Sequence, residues 1–390
     1  MGLIPTMLKD ICKLGYSTSD LKECVIRCLS PFFINQNALD QCWCDVKMLS
    51  VFEFIIRYHY DEAFSSEIES ILKIYREAFS QDPIATMNIV TNDIDSFTQK
   101  ENIMWSIRNQ KKCDDNDPEE VAISYLRHIG DILEIGTKHV VAELWSLIQI
   151  IEDSKTDYES VRKLEFGVTV NNIISKGYLN DMLVLGSNSQ KISDWRNIAY
   201  HHTYRFVNEN RIVCTYGKKQ NRIELTLKEL KQLAHQITRI SNVINMARSI
   251  VMFDYSAQLH AFCSTEELEG GVLSFRKPMM IEGIRVSMLS QGFSLEAVED
   301  DESEVVAQII DVGIANSALL EKKHERWIHV SQFLVHIWSV IPKERVKIKY
   351  YNQEDKLEFI CSVSGEICDK ILNRGDPLSS MAPYVDMKIV

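Results

Sequence analysis

The sequence predicts a mainly α protein in three parts: a helical N-terminal domain over residues 1–112, a helical bundle carrying a small β hairpin over 117–262, and a small α+β domain over 270–390. Only 8 prolines and 15 glycines interrupt the 390 residues, and such scarcity of breakers favours long helices over many short strands. Apolar residues recur at helical spacing for most of the first 260 residues, and the pattern turns to alternation beyond Gly270-Gly271. A chain of this length has room for two or three hydrophobic cores.

The elements follow in order. Asn37 to Tyr60 places Leu39, Cys42, Val46, Leu49, Phe52, Ile55 and Ile56 on one helical face, and Asp61 to Phe79 repeats the pattern. The polar run from Lys111 to Pro118 reads as the first linker. A helix from Glu119 to Glu134 is expected to stop at Gly136, with a second helix over Lys138–Ile151 and a third over Tyr158–Ser175. A loop at Gly186-Ser187-Asn188-Ser189 leads to a short helix for which Ser193 is the expected cap. Tyr204–Val207 and Arg211–Tyr216 read as a hairpin across Asn208-Glu209-Asn210, followed by a turn and a third strand, Arg222–Leu225. Thr226-Leu227-Lys228-Glu229 is a capping-box pattern that opens a long helix to about residue 260. In the last part, strands are expected at Val305–Val312, Val346–Tyr351 and Lys356–Val363, with a helix near Ala315–Val340. The acidic run Glu299-Asp300-Asp301-Glu302 reads as a solvated loop.

With 45% hydrophobic and 25% charged residues, the composition is that of an ordinary globular protein. No basic segment followed by a long apolar run opens the chain, and no window of about 18 uncharged apolar residues exists; a cytoplasmic protein with no membrane partner is expected. Ten cysteines in such a chain read as reduced thiols. Cys24-x3-Cys28 and Cys42-x-Cys44 depart from zinc-knuckle spacing, and His324, His329 and His336 do not stack on one helix face. Neither a metal nor a cofactor is expected. A net charge of −12 argues against nucleic-acid binding over the whole surface, so any RNA site has to be a local basic island.

Such an island exists. From Trp195 to Arg222 six Lys or Arg (Arg196, Arg205, Arg211, Lys218, Lys219, Arg222) face one acid, Glu209. Tyr200, Tyr204, Phe206 and Tyr216 interleave with them, and aromatic rings stack on unpaired bases. At about 100° per residue, a helix over Trp195–Tyr204 collects Arg196, Asn197, Tyr200, His201 and Tyr204 on one face. His202 turns to the apolar side with Trp195, Ile198 and Ala199. Asn197 and His201, at i and i+4, are placed for the amide to hold the imidazole. RNA cleavage without metal needs a proton acceptor or donor, which histidine supplies, and a fixed cation for charge on the phosphorus oxygens, which arginine supplies. Arg196 near a helix start costs the helix a little but sits where phosphate is attracted.

Arg196-Asn197-Ile198-Ala199-Tyr200-His201, with helices before it and a strand–turn–helix segment after it, resembles the signature of HEPN domains: Arg, four to six residues, then His, commonly with Asn after the Arg. The resemblance covers about residues 117–260. It implies a helical bundle that forms a homodimer or higher even oligomer, in which two Arg196–His201 pairs make one composite site. It further implies metal-independent endoribonuclease activity on cellular RNA such as tRNA or mRNA, leaving a cyclic phosphate. Many family members are toxins or antiviral defence effectors, so a sensor or antitoxin protein is an expected partner beside RNA. On this reading Arg196, His201 and Asn197 are catalytic, and Tyr200, Tyr204 and an acid from an earlier helix (Asp131 or Glu134) support them. Arg205, Arg211, Lys218, Lys219 and Arg222 then bind RNA. One branch of the family is paired with nucleotidyltransferases and carries His-x-Tyr whose Tyr is adenylated. Here that match requires His202-Thr203-Tyr204, with His202 expected to face inward. Three functions therefore compete: the ribonuclease, a non-catalytic dimer that binds RNA or nucleotide, and an adaptor whose activity lies in residues 271–390.

Overall fold

The computed structural model describes residues 7–8, 10–11, 14, 16–58, 61–92, 94–108, 117–154, 157–186, 190–208, 211–263, 276–312, 323–374 and 378–390. The chain is mainly helical with small β sheets and divides into two compact units, Phe32–Ala38 with Ile56–Phe275, and Met1–Pro31 with Leu39–Ile55 and Arg276–Val390. This division cuts through the segment 1–112 that periodicity groups as one domain. The reason lies in long-range bonds from its second half: Arg239 pairs with Asp61 and Glu67, and Arg248 donates to the Val90 carbonyl. The linker expected at 111–118 lies outside the described residues up to Asn116; Asp117 caps the next helix through the Glu119 N–H at 2.9 Å. The Gly270-Gly271 boundary also lies outside them.

The first unit is built on helices α1 (Glu62–Gln81), α2 (Pro118–Asp131), α3 (Lys138–Ile151), α4 (Phe166–Ser175), α5 (Ile192–Tyr200) and α6 (Leu227–Asp254). Helix α3 is central: Val140, Val141, Leu144, Leu147 and Ile148 are fully buried. Packing on every side requires an element that is apolar nearly all round. Helix α6 packs on α1 and α2, and α1 on α3.

Gly136 does not stop a helix. Helices α2 and α3 run into each other through a π-helical turn, Ile132–Thr137, in which the Lys138 N–H reaches back five residues to the Leu133 carbonyl. Tertiary contacts decide the matter. The Asn245 amide donates to the Gly136 carbonyl at 3.0 Å, and the Thr137 hydroxyl donates to Ile132 O at 3.1 Å and lies 2.9 Å from the Ser241 hydroxyl. These bonds satisfy groups that a widened turn leaves off the regular ladder.

Strands β1 (Tyr204–Asn208), β2 (Arg211–Tyr216) and β3 (Asn221–Thr226) form an antiparallel meander close to the expected bounds. Thr226 and Glu229 cap α6 reciprocally, the Thr226 N–H reaching Glu229 Oε2 at 2.7 Å and the Glu229 N–H reaching Thr226 Oγ1 at 3.2 Å. Ser193, by contrast, is no cap. The two-residue ladder Val184–Leu185 with Gln190–Lys191 delivers the chain to α5 two residues earlier, and Asp194 Oδ2 accepts from the Lys191 N–H at 2.9 Å.

In the second unit five strands, β4 (Phe293–Asp300), β5 (Glu304–Asp311), β6 (Arg345–Tyr351), β7 (Leu357–Ser364) and β8 (Asp386–Ile389), pair in the order β8-β7-β6-β5-β4. Helices α7 (Lys277–Ser290), α8 (Lys323–Val340) and α9 (Gly365–Arg374) supply the rest of its core, around Phe293, Ile309, Phe333, Ile348 and Phe359. Only β5 and β6 are parallel, joined through α8 as a parallel crossover requires. The acidic run is not a loop throughout: Glu299 and Asp300 end β4, and Asp300 pairs with Lys277 and with Lys343. Among the described residues no helix is long and apolar enough to cross a membrane, and no three His, Cys, Asp or Glu side chains gather to hold a metal ion.

Candidate anion site at the end of the motif helix

Helix α5 is seated by its apolar face, with Ile192, Trp195, Ile198 and Ala199 buried. It approaches α2 closely at Gly130, where an added Cβ would stand 3.2 Å from Ala199 Cβ and 3.3 Å from the Tyr200 ring. That approach places the polar face of α5 beside the π turn, with the following consequences for the residues singled out from the sequence.

Glu134, in the π turn, accepts from Arg196 Nε and Nη2 at 2.8 Å each through Oε2. Its other oxygen accepts from Lys138 Nζ at 2.7 Å. Burial pushes the Glu134 carboxyl up, but the hydrogen bonds and charges of Lys138 and Arg196 outweigh it and hold the group below the ordinary carboxylate range. Asn197 Oδ1 accepts from Arg196 Nη1 at 3.2 Å, and the guanidinium lies 4.7 Å from the centre of the Tyr200 ring. Asn197 therefore holds the arginine; its expected amide bond to His201 is absent among the described residues. The Tyr200 hydroxyl is pushed up by burial first and then by Glu134 and Asp131, against the opposing charge of Arg196. Asp131 stands near enough to act on Tyr200 but makes no hydrogen bond to the motif among the described residues.

The helix ends at Tyr200, earlier than the projection assumed. His201 is the C-cap, its N–H bonded to Asn197 O at 2.9 Å, and its side chain is exposed. His202 takes a left-handed backbone, φ 51°, and the Thr203 N–H returns to Ile198 O at 3.2 Å. This is a Schellman closure with histidine where glycine is usual. The expectation that His202 faces the core fails for this reason: the left-handed turn throws its side chain outward, where it is exposed. Its Nδ1 lies 3.3 Å from the Tyr204 hydroxyl. Tyr204 starts β1 instead of sharing the helix face, and it continues an edge-to-face series from His202 to Phe206, with centroids 5.9 and 6.0 Å apart.

The basic island is smaller than the count from the sequence. Glu224, two residues past the counted window, binds both Arg211 and Arg222, the latter at 2.7 Å. Arg205 on β1 and Lys218 and Lys219 in the β2–β3 turn are exposed. Lys138 was missed altogether, although its i,i+4 spacing from Glu134 is legible, because a helix stop at Gly136 would have separated the two. No family model, curated protein or solved structure matches the chain.

Proposed function

We propose that the protein is a metal-independent endoribonuclease of the HEPN type, acting as a dimer through Arg196 and His201. One observation carries the reading. The Arg196 guanidinium is held in a fixed direction by Glu134 and Asn197, and His201, five residues on, caps the C-terminus of the same helix with its side chain exposed. A positioned cation and a solvent-facing imidazole, brought together by pairing of two copies, are what phosphodiester cleavage by the ribose 2′-hydroxyl requires. The 2′-oxygen attacks phosphorus, the bond to the 5′-oxygen breaks, and a cyclic phosphate forms. One His201 takes the 2′-hydroxyl proton and the other copy's His201 protonates the leaving oxygen, while Arg196 stabilises charge on the nonbridging oxygens. Two copies divide acid and base between two His201 side chains.

The test is purified full-length protein with total RNA in EDTA. Cleavage is expected to fall about 10²–10⁴-fold in His201→Ala and to be lost in Arg196→Ala. Undiminished cleavage in both variants overturns the assignment, and binding without cleavage in the wild type favours the non-catalytic dimer.

A second reading is favoured by the outward His202. Its contact with Tyr204 suits activation of that hydroxyl, as regulation by nucleotidylation of Tyr204 requires. Intact-mass and peptide mass spectrometry of protein from its native host distinguishes this: an added nucleotide on Tyr204, absent in Tyr204→Phe, supports it, and an unmodified Tyr204 during co-expression with the neighbouring genes removes it.

A further inference from the structure

Glu134 carries a separate cation on each carboxylate oxygen, Lys138 Nζ on Oε1 at 2.7 Å and the fork of the motif residue Arg196 on Oε2 at 2.8 Å. A phosphodiester presents the same thing, two nonbridging oxygens sharing one negative charge. The donors that satisfy the carboxylate would satisfy the phosphodiester without rearrangement. We propose that Lys138 and Arg196 together clamp a phosphate of the RNA, and that Glu134 is the resident anion they release when RNA binds. The proposal rests on the ribonuclease reading and adds to it a second phosphate-binding side chain and a built-in competitor.

The surroundings make the exchange physically reasonable. Side-chain exposures of 35% for Lys138, 22% for Glu134 and 20% for Arg196 make the cluster part-exposed, so water partly screens its ion pairs and a displaced carboxylate regains its hydration. With Glu134 in place the trio carries one net positive charge; with it swung out, two cations face the phosphate. Arg196 is also tethered by Asn197 and the Tyr200 ring, so it need not move when Glu134 leaves. The π turn is what sets Glu134 opposite α5 and Lys138 one turn further on, and the Asn245 amide on Gly136 O braces that turn from α6.

The experiment is binding of a fluorescein-labelled single-stranded RNA in EDTA across a salt series, using full-length wild type, Lys138→Gln, Lys138→Arg and Glu134→Gln. Losing one phosphate-contacting cation should weaken binding of all sequences alike, by about fivefold to tenfold, and reduce the slope of log affinity against log salt by about one. Lys138→Arg should restore both. Glu134→Gln, which keeps the shape and removes the competing charge, should bind severalfold tighter. A wild type that neither binds nor cleaves RNA sinks the ribonuclease reading itself. A wild type that binds, with Lys138→Gln unchanged in affinity and slope or Glu134→Gln no tighter, sinks only the clamp. A lower thermal midpoint in Lys138→Gln with an unchanged slope assigns Lys138 a structural role instead.

Discussion

Arg248–Glu143 and Arg196–Glu134 join the same two side-chain types across helices of one unit, yet they differ in burial and in what else each acid holds. Arg248 and Glu143 are 6% and 4% exposed. Arg248 Nε contacts both Glu143 oxygens at 3.1 Å, its Nη2 donates to Val90 O at 3.1 Å, and the Tyr75 hydroxyl donates to Glu143 Oε1 at 2.5 Å. Burial, and then the Glu143 charge, push the Tyr75 hydroxyl well above its ordinary value, which keeps it a donor. An acid in that position is walled in by its partners, and no outside anion can take its place. Around Arg196 the partners are part-exposed and one side of the cluster faces solvent. The same chemistry thus makes a lock where it is buried and an exchangeable site where it is not.

The largest effect that tests this contrast is on stability. Arg248→Met leaves Glu143 buried without its counter-charge and is expected to cost about 3–5 kcal/mol. Arg196→Met, at a part-exposed pair whose acid keeps Lys138 and can reach water, should cost clearly less. Urea denaturation of the two variants measures both, and equal losses would break the comparison.

A smaller effect is expected with pH. The His139 imidazole, on α3, is pushed well below the ordinary histidine value by burial and then by the charges of Lys100 and Arg248. The folded state therefore resists a proton that the unfolded chain accepts, and stability falls as pH drops below the ordinary histidine range. Glu134 is held below the ordinary carboxylate range, so its contribution persists above that range and is lost only as pH falls through and beneath it. Denaturation midpoints should accordingly decline in two stages, with His139→Gln reducing the first and Glu134→Gln reducing the second, stages to which other histidines and paired carboxylates also contribute. A single decline unaffected by Glu134→Gln would show that the surface cluster holds no native charge preference.

The smallest effect concerns the strained rim of the site. Replacing His202 by Gly relieves a left-handed conformation costing about 1–2 kcal/mol in a residue with a Cβ, against about 0.5–1 kcal/mol of added chain entropy. A net gain of about 0.5–1 kcal/mol in thermal denaturation is expected. A loss would mean that the His202–Tyr204 contact stabilises more than the backbone strain costs.

Much of the local structure was legible in the chain. The meander over 204–226 followed from strand composition and turn residues, and the capping box at Thr226 from its spacing, because both depend on neighbours a few residues apart. Arg196, Asn197, Tyr200 and His201 were legible as one polar face for the same reason. What failed was decided mostly at longer range, the local closure at His202 excepted. Gly136 looks like a stop until Asn245 and Ser241, more than 100 residues away, brace the π turn around it. His202 looks inward-facing until the helix closes two residues earlier on the Ile198 carbonyl. Glu134 and Asp131 stood as equal candidates, and only the close passage of α5 over Gly130 set Glu134, with Lys138 behind it, against Arg196. Periodicity and spacing by themselves determined that the chain is mainly helical and that Arg196, Asn197 and Tyr200 share one short helix, since those are properties of one backbone segment. Which acid meets the arginine, and whether that pair is buried or open to exchange, belonged to the tertiary structure, because each depends on how closely separate helices approach and how much water their contact excludes.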